Sequence, residues 1–556
     1  MEDRLRDAIQ FHSKLEEQRN IYLPMWQEIF DRVLPDSATI LKQYSPGGKR
    51  TQMMFDATAP LALQKYGAVM ESMVVPRTQK WHGLKPRDPK LAANSEVQTY
   101  CEQLTNILFD VRYRYESNYA EQAFQCFINQ GAVGNGALFI DDMEGVGIRY
   151  RALHPSELFY AENFVGKIDI VHRKFKYTAR QAKQRFLDRG GSLPPGVMLA
   201  IEKNPLQEFT FIHRVCPNDM YREGSYGSNS LKYESMYFCL DEPWICREGS
   251  GYRTFPYVFS RGMTVPGDVY ARGPASLVLP DIKQLNEMEK TLLRQAQLAV
   301  DPPILLPEDG ALSGFNMQPG ALMWGGTNSD GQALAQPFET KGNLQIGFDQ
   351  QQQKREVINN AFLINLFQIL VQEPEMTATQ AMLRAQEKGM LLAPTMGRQQ
   401  SEFVGPTITR EIEILDSAGA LPPMPQILAN AGGHAMLVVE YSSPYDRAQQ
   451  ADEGVAIMQT AQSAAIFAQF DPSVPTMFKS QDSMRAIAKI NGMPASLLFS
   501  EDEMAAKAQQ QAKQAQMQNL VQIAPQAASA AKDFASAQAI QASSPNQAAP
   551  NIVPSR

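Results

Sequence analysis

The chain has 556 residues, and at about 150 residues per domain it is long enough for three or four domains. An apolar fraction of 44%, a charged fraction of 20%, and 36 Gly with 36 Pro are the composition of an ordinary globular protein, which excludes wholesale disorder. Lys and Arg number 52 against 59 Asp and Glu; the formal charge of -7 excludes a global positive field, so any DNA contact must be local or geometric.

In chain order, residues 5–34 carry apolar side chains at helical spacing in two pieces, with Pro24 in a first-turn position, and predict two short helices. Residues 97–127 place Val97, Cys101, Leu104, Leu108, Val111, Tyr115 and Tyr119 on one face and predict a single long amphipathic helix. After Gly131 short β-prone runs begin: 137–140, 148–150, 168–175, 209–215 and 236–244, interrupted by a helix after Thr178, in a mixed body that ends near Tyr270. Residues 277–300 return to helical periodicity, with Val278, Ile282, Leu285, Met288, Leu292, Ala296 and Ala299 on one face. A Gly- and Pro-rich stretch runs to Gly342, and a second helix spans about 348–367. Together these predict an antiparallel helical hairpin with a small module at its tip. Pro374 ends that helix, Thr377 and Gln380 stand at capping-box spacing, and helices dominate to Leu498. The Ala- and Gln-rich end from 501 reads as a helix of little apolar bulk, fraying into a disordered tail.

Common chemical signatures are missing. Gly48-Lys49 and Gly166-Lys167 lack the earlier glycine of a phosphate-binding P-loop, the six histidines form no metal-binding spacing, and there is no GxSxG elbow. Cys101, Cys126, Cys216, Cys239 and Cys246 form no CxxC pair and read as reduced, buried thiols of a cytosol-like compartment; Cys239 and Cys246 can meet across a hairpin. The first seven residues lack the character of a signal peptide. The most apolar run, 361–371, falls short of the roughly 20 residues that span a bilayer. Neither cofactor nor metal is expected.

Some features invite a function. Gly134-Asn135-Gly136 resembles the start of a dinucleotide loop but follows a helix rather than opening one, so it reads as a turn. Asp141-Asp142 would serve a metal-dependent DNA-processing enzyme, although the flanking glycines favour a solvated hairpin. Arg112-Tyr113-Arg114-Tyr115 interleaves bases with aromatics as a single-strand binder does, yet Tyr115 and Tyr119 already belong to the apolar helix face. Lys283, Glu287, Lys290 and Arg294 form a charged stripe. Lys290 and Arg294, like charges at i,i+4, would profit from DNA phosphate or, in a ring, from a neighbour's Glu287 or Glu289.

Several ordered motifs along some 400 residues resemble the portal, or head-to-tail connecting, proteins of short-tailed bacteriophages. They are Trp26-Gln27-Glu28-Ile29, Phe55-Asp56-Ala57-Thr58-Ala59, Trp81-His82-Gly83-Leu84, Gly134-Asn135-Gly136, Leu153-His154-Pro155-Ser156-Glu157 and Tyr177-Thr178-Ala179-Arg180-Gln181. The densest part runs from Tyr270-Ala271-Arg272-Gly273-Pro274 through Leu279-Pro280-Asp281-Ile282-Lys283-Gln284-Leu285-Asn286 to Val300-Asp301-Pro302-Pro303, and Met376-Thr377-Ala378-Thr379 and Gly419-Ala420-Leu421-Pro422 complete it. The resemblance implies an α+β, predominantly helical fold and a twelvefold ring around a channel, with no catalysis. It implies a wing at 1–272 and 377–500, stem helices at 273–300 and 348–367, a clip at 301–347, a channel loop at 368–376 and a crown with its tail at 501–556. The implied site is the unique capsid vertex of the virion, after assembly in the host cytoplasm. Double-stranded DNA would pass through the ring, and the implied partners are the large terminase subunit, the major capsid and scaffold proteins, and the tail adaptor and tube proteins. Glu308, Asp309 and Trp324 are the clip candidates for terminase or adaptor docking, and Gln368, Gln372, Glu373 and Glu375 those for the channel loop. That loop holds two acids and no Lys or Arg, which argues for a steric valve rather than an electrostatic grip. A capsid or scaffold component without a channel is the third reading.

Overall fold

The computed structural model describes residues 2–41, 47–77, 79–92, 94–143, 147–300, 344–364, 395–441, 444–467 and 480–490, with 304–305, 330, 336–337, 504, 507 and 509–510. Two compact units divide the chain: 1–92 with 100–453, and 93–99 with 454–556. In the second, Gly454 on the helix Pro444–Phe467 faces Ile490 on the helix Ser480–Ile490.

The first unit opens with α1 (Glu2–Asn20) and α2 (Leu23–Val33), as the two apolar stretches and Pro24 predict, though α1 is not short. Trp26, Ile29, Phe30 and Val33 of α2 are buried. The helix α3 (Thr58–Val74) is followed by β1 (His82–Pro86) and the single turn α4 (Pro89–Ala92). The long helix expected over 97–127 is two helices, α5 (Ser95–Arg112) and α6 (Tyr119–Val133). Ser117 explains the break, because its hydroxyl lies 2.7, 2.9 and 2.9 Å from the carbonyls of Val111, Arg112 and Arg114. Asn118 then takes a left-handed φ of 61°. In consequence Tyr119 is buried while Tyr115 is 91% exposed, against its expected place on the apolar face. The α3 and α6 helices pack closely at Gly131, where a Cβ would press into Leu63 and Tyr66.

Two antiparallel sheets follow. The strands β2 (Asn135–Met143), β3 (Gly147–Ala152) and β9 (Tyr257–Arg261) pair in the order β3-β2-β9. A five-stranded meander joins β4 (Leu158–Glu162), β5 (Ile168–Thr178), β6 (Glu208–Pro217), β7 (Tyr233–Cys239) and β8 (Trp244–Tyr252). The run at 236–244 is therefore the end of one strand, a turn and the start of the next. Between β5 and β6 lie α7 (Ala179–Arg185), closed by a Thr178–Gln181 capping box, and α8 (Pro195–Lys203). Ala182, Phe186 and Val197 cover Phe175 and Phe211 of the meander, and Ala8 of α1 packs with Ile212, Met236 and Phe238. The five cysteines are free and buried.

After α9 (Pro274–Leu277) comes the predicted helical pair, α10 (Leu279–Val300) and α11 (Leu344–Ala361), with a two-residue pairing of β10 (Ile304–Leu305) and β11 (Gln336–Pro337) between them. Lys354 meets Asp281 at 2.6 Å, Gln351 meets Glu289 at 2.7 Å, and Gly347 faces Leu292, which fixes an antiparallel packing. Twenty-two residues make α10 about 33 Å long. The α11 helix stops at Ala361, short of 367, where Leu363 has a φ of 61°. Of the predicted apolar face, Val278, Ile282 and Leu285 are buried near the start, Met288 and Leu292 are half-buried, and Ala296 is exposed. Past residue 395, helices do not run alone: β12 (Leu437–Tyr441) pairs with β1, with His82 opposite Tyr441 and Leu84 opposite Val439.

Candidate functional site

The base of the α10–α11 hairpin is a polar junction. Asn286, 4% exposed on α10, accepts the backbone N–H of Phe55 at 2.7 Å and of Asp56 at 3.2 Å, while its amide donates to the Ile282 carbonyl at 2.8 Å. Arg355 of α11 donates to one Asp56 carboxylate oxygen through two nitrogens, at 3.1 and 2.8 Å, and reaches Glu289 at 3.4 Å. Gln351, itself buried, donates to the same Glu289. Burial raises the Asp56 carboxyl, but hydrogen bonds from Thr58 and the Arg355 charge outweigh it and hold the group below its usual range. The stretches 55–59 and 279–286, far apart in sequence, are thus one site. Arg355 and Gln351 were not singled out by sequence, since polar residues on an amphipathic helix read first as solvated, and Glu289 was read only as an acid offered to a neighbouring copy.

The charged stripe is mostly used within the chain. Lys283 pairs with Glu28 at 2.9 Å, and Lys290 pairs with Glu287 at 3.6 Å and lies 5.5 Å from the Phe55 ring centroid. Glu289 is taken by Arg355 and Gln351. The acids expected to come from a neighbouring copy are therefore engaged at home, and among the described residues Arg294 alone of the stripe has no ion-pair partner. These are exposed pairs, worth at most about 1 kcal/mol each. The channel-loop residues Gln368, Gln372, Glu373 and Glu375 and the clip residues Glu308, Asp309 and Trp324 lie outside the described residues.

The remaining candidates are structural. Asp141 and Asp142 sit opposite Arg149 and Ile148 at the end of the β2–β3 hairpin, and Asp141 lies 3.6 Å from Arg185. Among the described residues no three His, Cys, Asp or Glu side chains converge as metal ligands. Gly134 takes a φ of 83° and packs on the Arg272 backbone, and Gly136 packs on Cys126, so the Gly-Asn-Gly motif lets β2 lie against its neighbours. The Arg112 of the basic-aromatic run is fully buried. Its Nε donates to Glu411 at 2.9 Å, a second nitrogen bonds the other carboxylate oxygen, Nη1 lies 3.0 Å from His82 Nε2, and its guanidinium stands 4.6 Å over the Trp81 ring. Burial works against its charge, and the Glu411 carboxylate more than restores it. Among the described residues no helix is long and apolar enough to cross a membrane.

The comparison with known proteins decides the class: the model of the bacteriophage head to tail connecting protein family matches residues 5–498. The chain belongs to this family. The connector is a structural phage protein and not an enzyme, and the metal-dependent reading of Asp141 and Asp142 has no support. It is 26% identical over 514 residues to the probable portal protein of Bordetella phage BPP-1, covering 90% of each chain. It is 23% identical over 534 residues to the portal protein of Salmonella phage epsilon15, covering 95% of the connector and 94% of the relative. Among solved structures, the virion of a native gene transfer agent particle aligns at 9% identity and a TM-score of 0.36, over 78% of the connector and 95% of that chain, a score too low to argue from.

Proposed function

We propose that the connector is the portal of a tailed phage, a twelvefold ring at the unique capsid vertex through which DNA is packaged and ejected. Supporting this reading is the antiparallel α10–α11 pair, fixed at its base by Asn286, Asp56 and Arg355, with residues 301–343 between its far ends. In this reading 273–300 and 348–367 form the stem, with α11 beginning a few residues earlier, 301–347 the clip, 368–376 the channel loop, 1–272 and 377–500 the wing, and 501–556 the crown and tail. Terminase and tail adaptor proteins would dock on the clip, and capsid and scaffold proteins on the wing. The net charge of -7 per copy suits a conduit, since a basic bore would hold the duplex where an acidic one lets it slide.

Native mass and electron-microscope images of the purified chain, alone and with scaffold, test the reading. A ring near twelve times 62.0 kDa with an open centre wide enough for a duplex is the expected result. A compact closed dimer under both conditions would overturn it.

A further inference from the structure

Outside the hairpin, the loop that joins β6 to β7 and the end of β8 border a half-open pocket of about 330 Å³ lined by Tyr221, Gly224, Ser225, Ser230, Lys232 and Arg253. Its floor is set by the sheet. Tyr233 of β7 lies opposite Tyr252 of β8, so one step beyond the paired strands the register brings Lys232 against Arg253. Like charges directly opposite one another across a ladder repel. Natural sheets relieve that repulsion with a carboxylate, yet none lines this pocket, and among the described residues neither cation has an ion-pair or hydrogen-bond partner through its side chain. The loop's own acids, Asp219 and Glu223, are not part of the lining.

The walls are built rather than loose. Asn218 donates through its amide to the carbonyls of Ser228 at 3.1 Å and Leu231 at 2.8 Å, and its backbone N–H bonds the Lys232 carbonyl at 3.0 Å. The hydroxyls of Ser225 and Ser230 donate to the Arg222 and Gly227 carbonyls, each at 2.7 Å, and so brace the loop. That leaves Lys232, Arg253 and Tyr221 as the lining residues whose side-chain donors are not spent on bracing the loop. Two cations at adjacent register positions, with a neutral donor on the same lining, favour an anion of more than one charge.

We propose that this pocket is a phosphate-binding site in which Lys232 and Arg253 share the anion and Tyr221 adds a neutral hydrogen bond. One carboxylate would neutralise only one of the two cations, whereas a phosphate monoester, or two successive phosphodiesters, matches both. The phosphate comes either free, as a small molecule that the volume accommodates, or on a nucleic-acid backbone. This site goes beyond the portal reading and does not depend on it.

The test uses the full chain and the variant Lys232→Ala/Arg253→Ala, with Lys232→Arg as the charge-keeping control. Both positions are exposed, so thermal melts in chloride should match the wild type. Melting in phosphate at the same ionic strength reads the free anion, and retention of a short DNA duplex across a salt series reads the backbone. A small-molecule site raises the wild-type melting temperature in phosphate, and the double variant loses about tenfold or more in apparent affinity while Lys232→Arg keeps it. A backbone site leaves melting unmoved by phosphate, but the double variant weakens duplex retention and flattens its salt dependence by one to two contacts, about 0.9 in logarithmic slope for each. If neither ligand binds the wild type, or the double variant binds both as the wild type does, the proposal is wrong; an acidic peptide competing where phosphate and DNA do not would assign the pocket to a protein partner instead.

Discussion

Replacing Glu411 by Gln removes the counter-ion of the most deeply buried charge in the described chain. The Arg112 and Glu411 side chains are 0% and 1% exposed, so water cannot take over the lost partner. Tyr150 donates its hydroxyl to Glu411 at 2.5 Å, and Gln would still accept that bond. Its amide nitrogen, however, would face the Arg112 guanidinium with donor against donor. An uncompensated buried charge of this kind costs about 3–5 kcal/mol. The double variant Arg112→Met/Glu411→Gln removes the charge as well and leaves the His82 ring nitrogen without its donor and the new amide N–H group without an acceptor, neutral groups that cost less than a bare charge. Urea unfolding followed by tryptophan emission is the assay, because the buried Trp81 ring lies 4.6 Å from the guanidinium and reports on this locus. The expected order is a single variant less stable than the double. A Glu411→Gln cost below about 1 kcal/mol, or a double variant whose cost equals the sum of the two singles, would refute the account.

At the hairpin base, Asn286→Ala strips the N–H groups of Phe55 and Asp56 of their acceptor, at about 1–3 kcal/mol for the buried Asp56 donor and less for the part-buried Phe55 one, and amide exchange at those two residues should accelerate; unchanged exchange sinks the junction. Gly134→Ala, which places a Cβ against the Arg272 backbone at a φ of 83°, should lower the melting temperature by several degrees, with no shift the contrary result. His12 and His172 are stacked at 5.6 Å in the core with all four ring nitrogens unpartnered, beside Glu16, Arg19, Lys174 and Arg214. Burial lowers His12 to about 4 and His172 well below the ordinary 6.5. The unfolded chain therefore takes up protons that the folded one refuses, so their contribution to stability is full above pH 6.5 and is lost as pH falls from 6.5 toward 4. Melting temperatures over that range should drop more steeply in the wild type than in His172→Phe, and parallel curves would remove the histidines from the explanation.

What was legible in the sequence is what local pattern controls. The 3.6-residue period of α10, the first-turn Pro24 and the strands at 209–215 are set by neighbours a few residues away, and each appears where the pattern puts it. The failures are of two kinds. A heptad-like spacing continued through 113–118 and concealed a break made by one hydroxyl and one left-handed residue, Ser117 and Asn118. Partners distant in sequence were invisible altogether: β1 finds β12 some 355 residues later, and Arg112, one of the bases interleaved with aromatics at 112–115, is claimed by Glu411 at a separation of 299. Neither Arg nor Glu announces its burial when the residue that neutralises it lies on another element.

The same distinction explains why the hairpin needs a polar base. Full apolar burial along α10 ends at Leu285; beyond it Met288 and Leu292 are only half-buried and Leu293 and Val300 face solvent, so hydrophobic contact alone sets the helix direction weakly. Hydrogen bonds are directional where apolar contacts are not. Asn286 grips two successive backbone N–H groups at the entrance to α3, and Arg355 grips the Asp56 side chain from the returning helix. Both helices are thus tied to Asp56, α10 through its backbone N–H and α11 through its carboxylate. The hairpin takes its direction from this junction, and Asp56→Ala, which cuts the α11 tie together with the Thr58 N–H bond at the start of α3 but leaves both Asn286 contacts, should loosen that direction without unfolding α10.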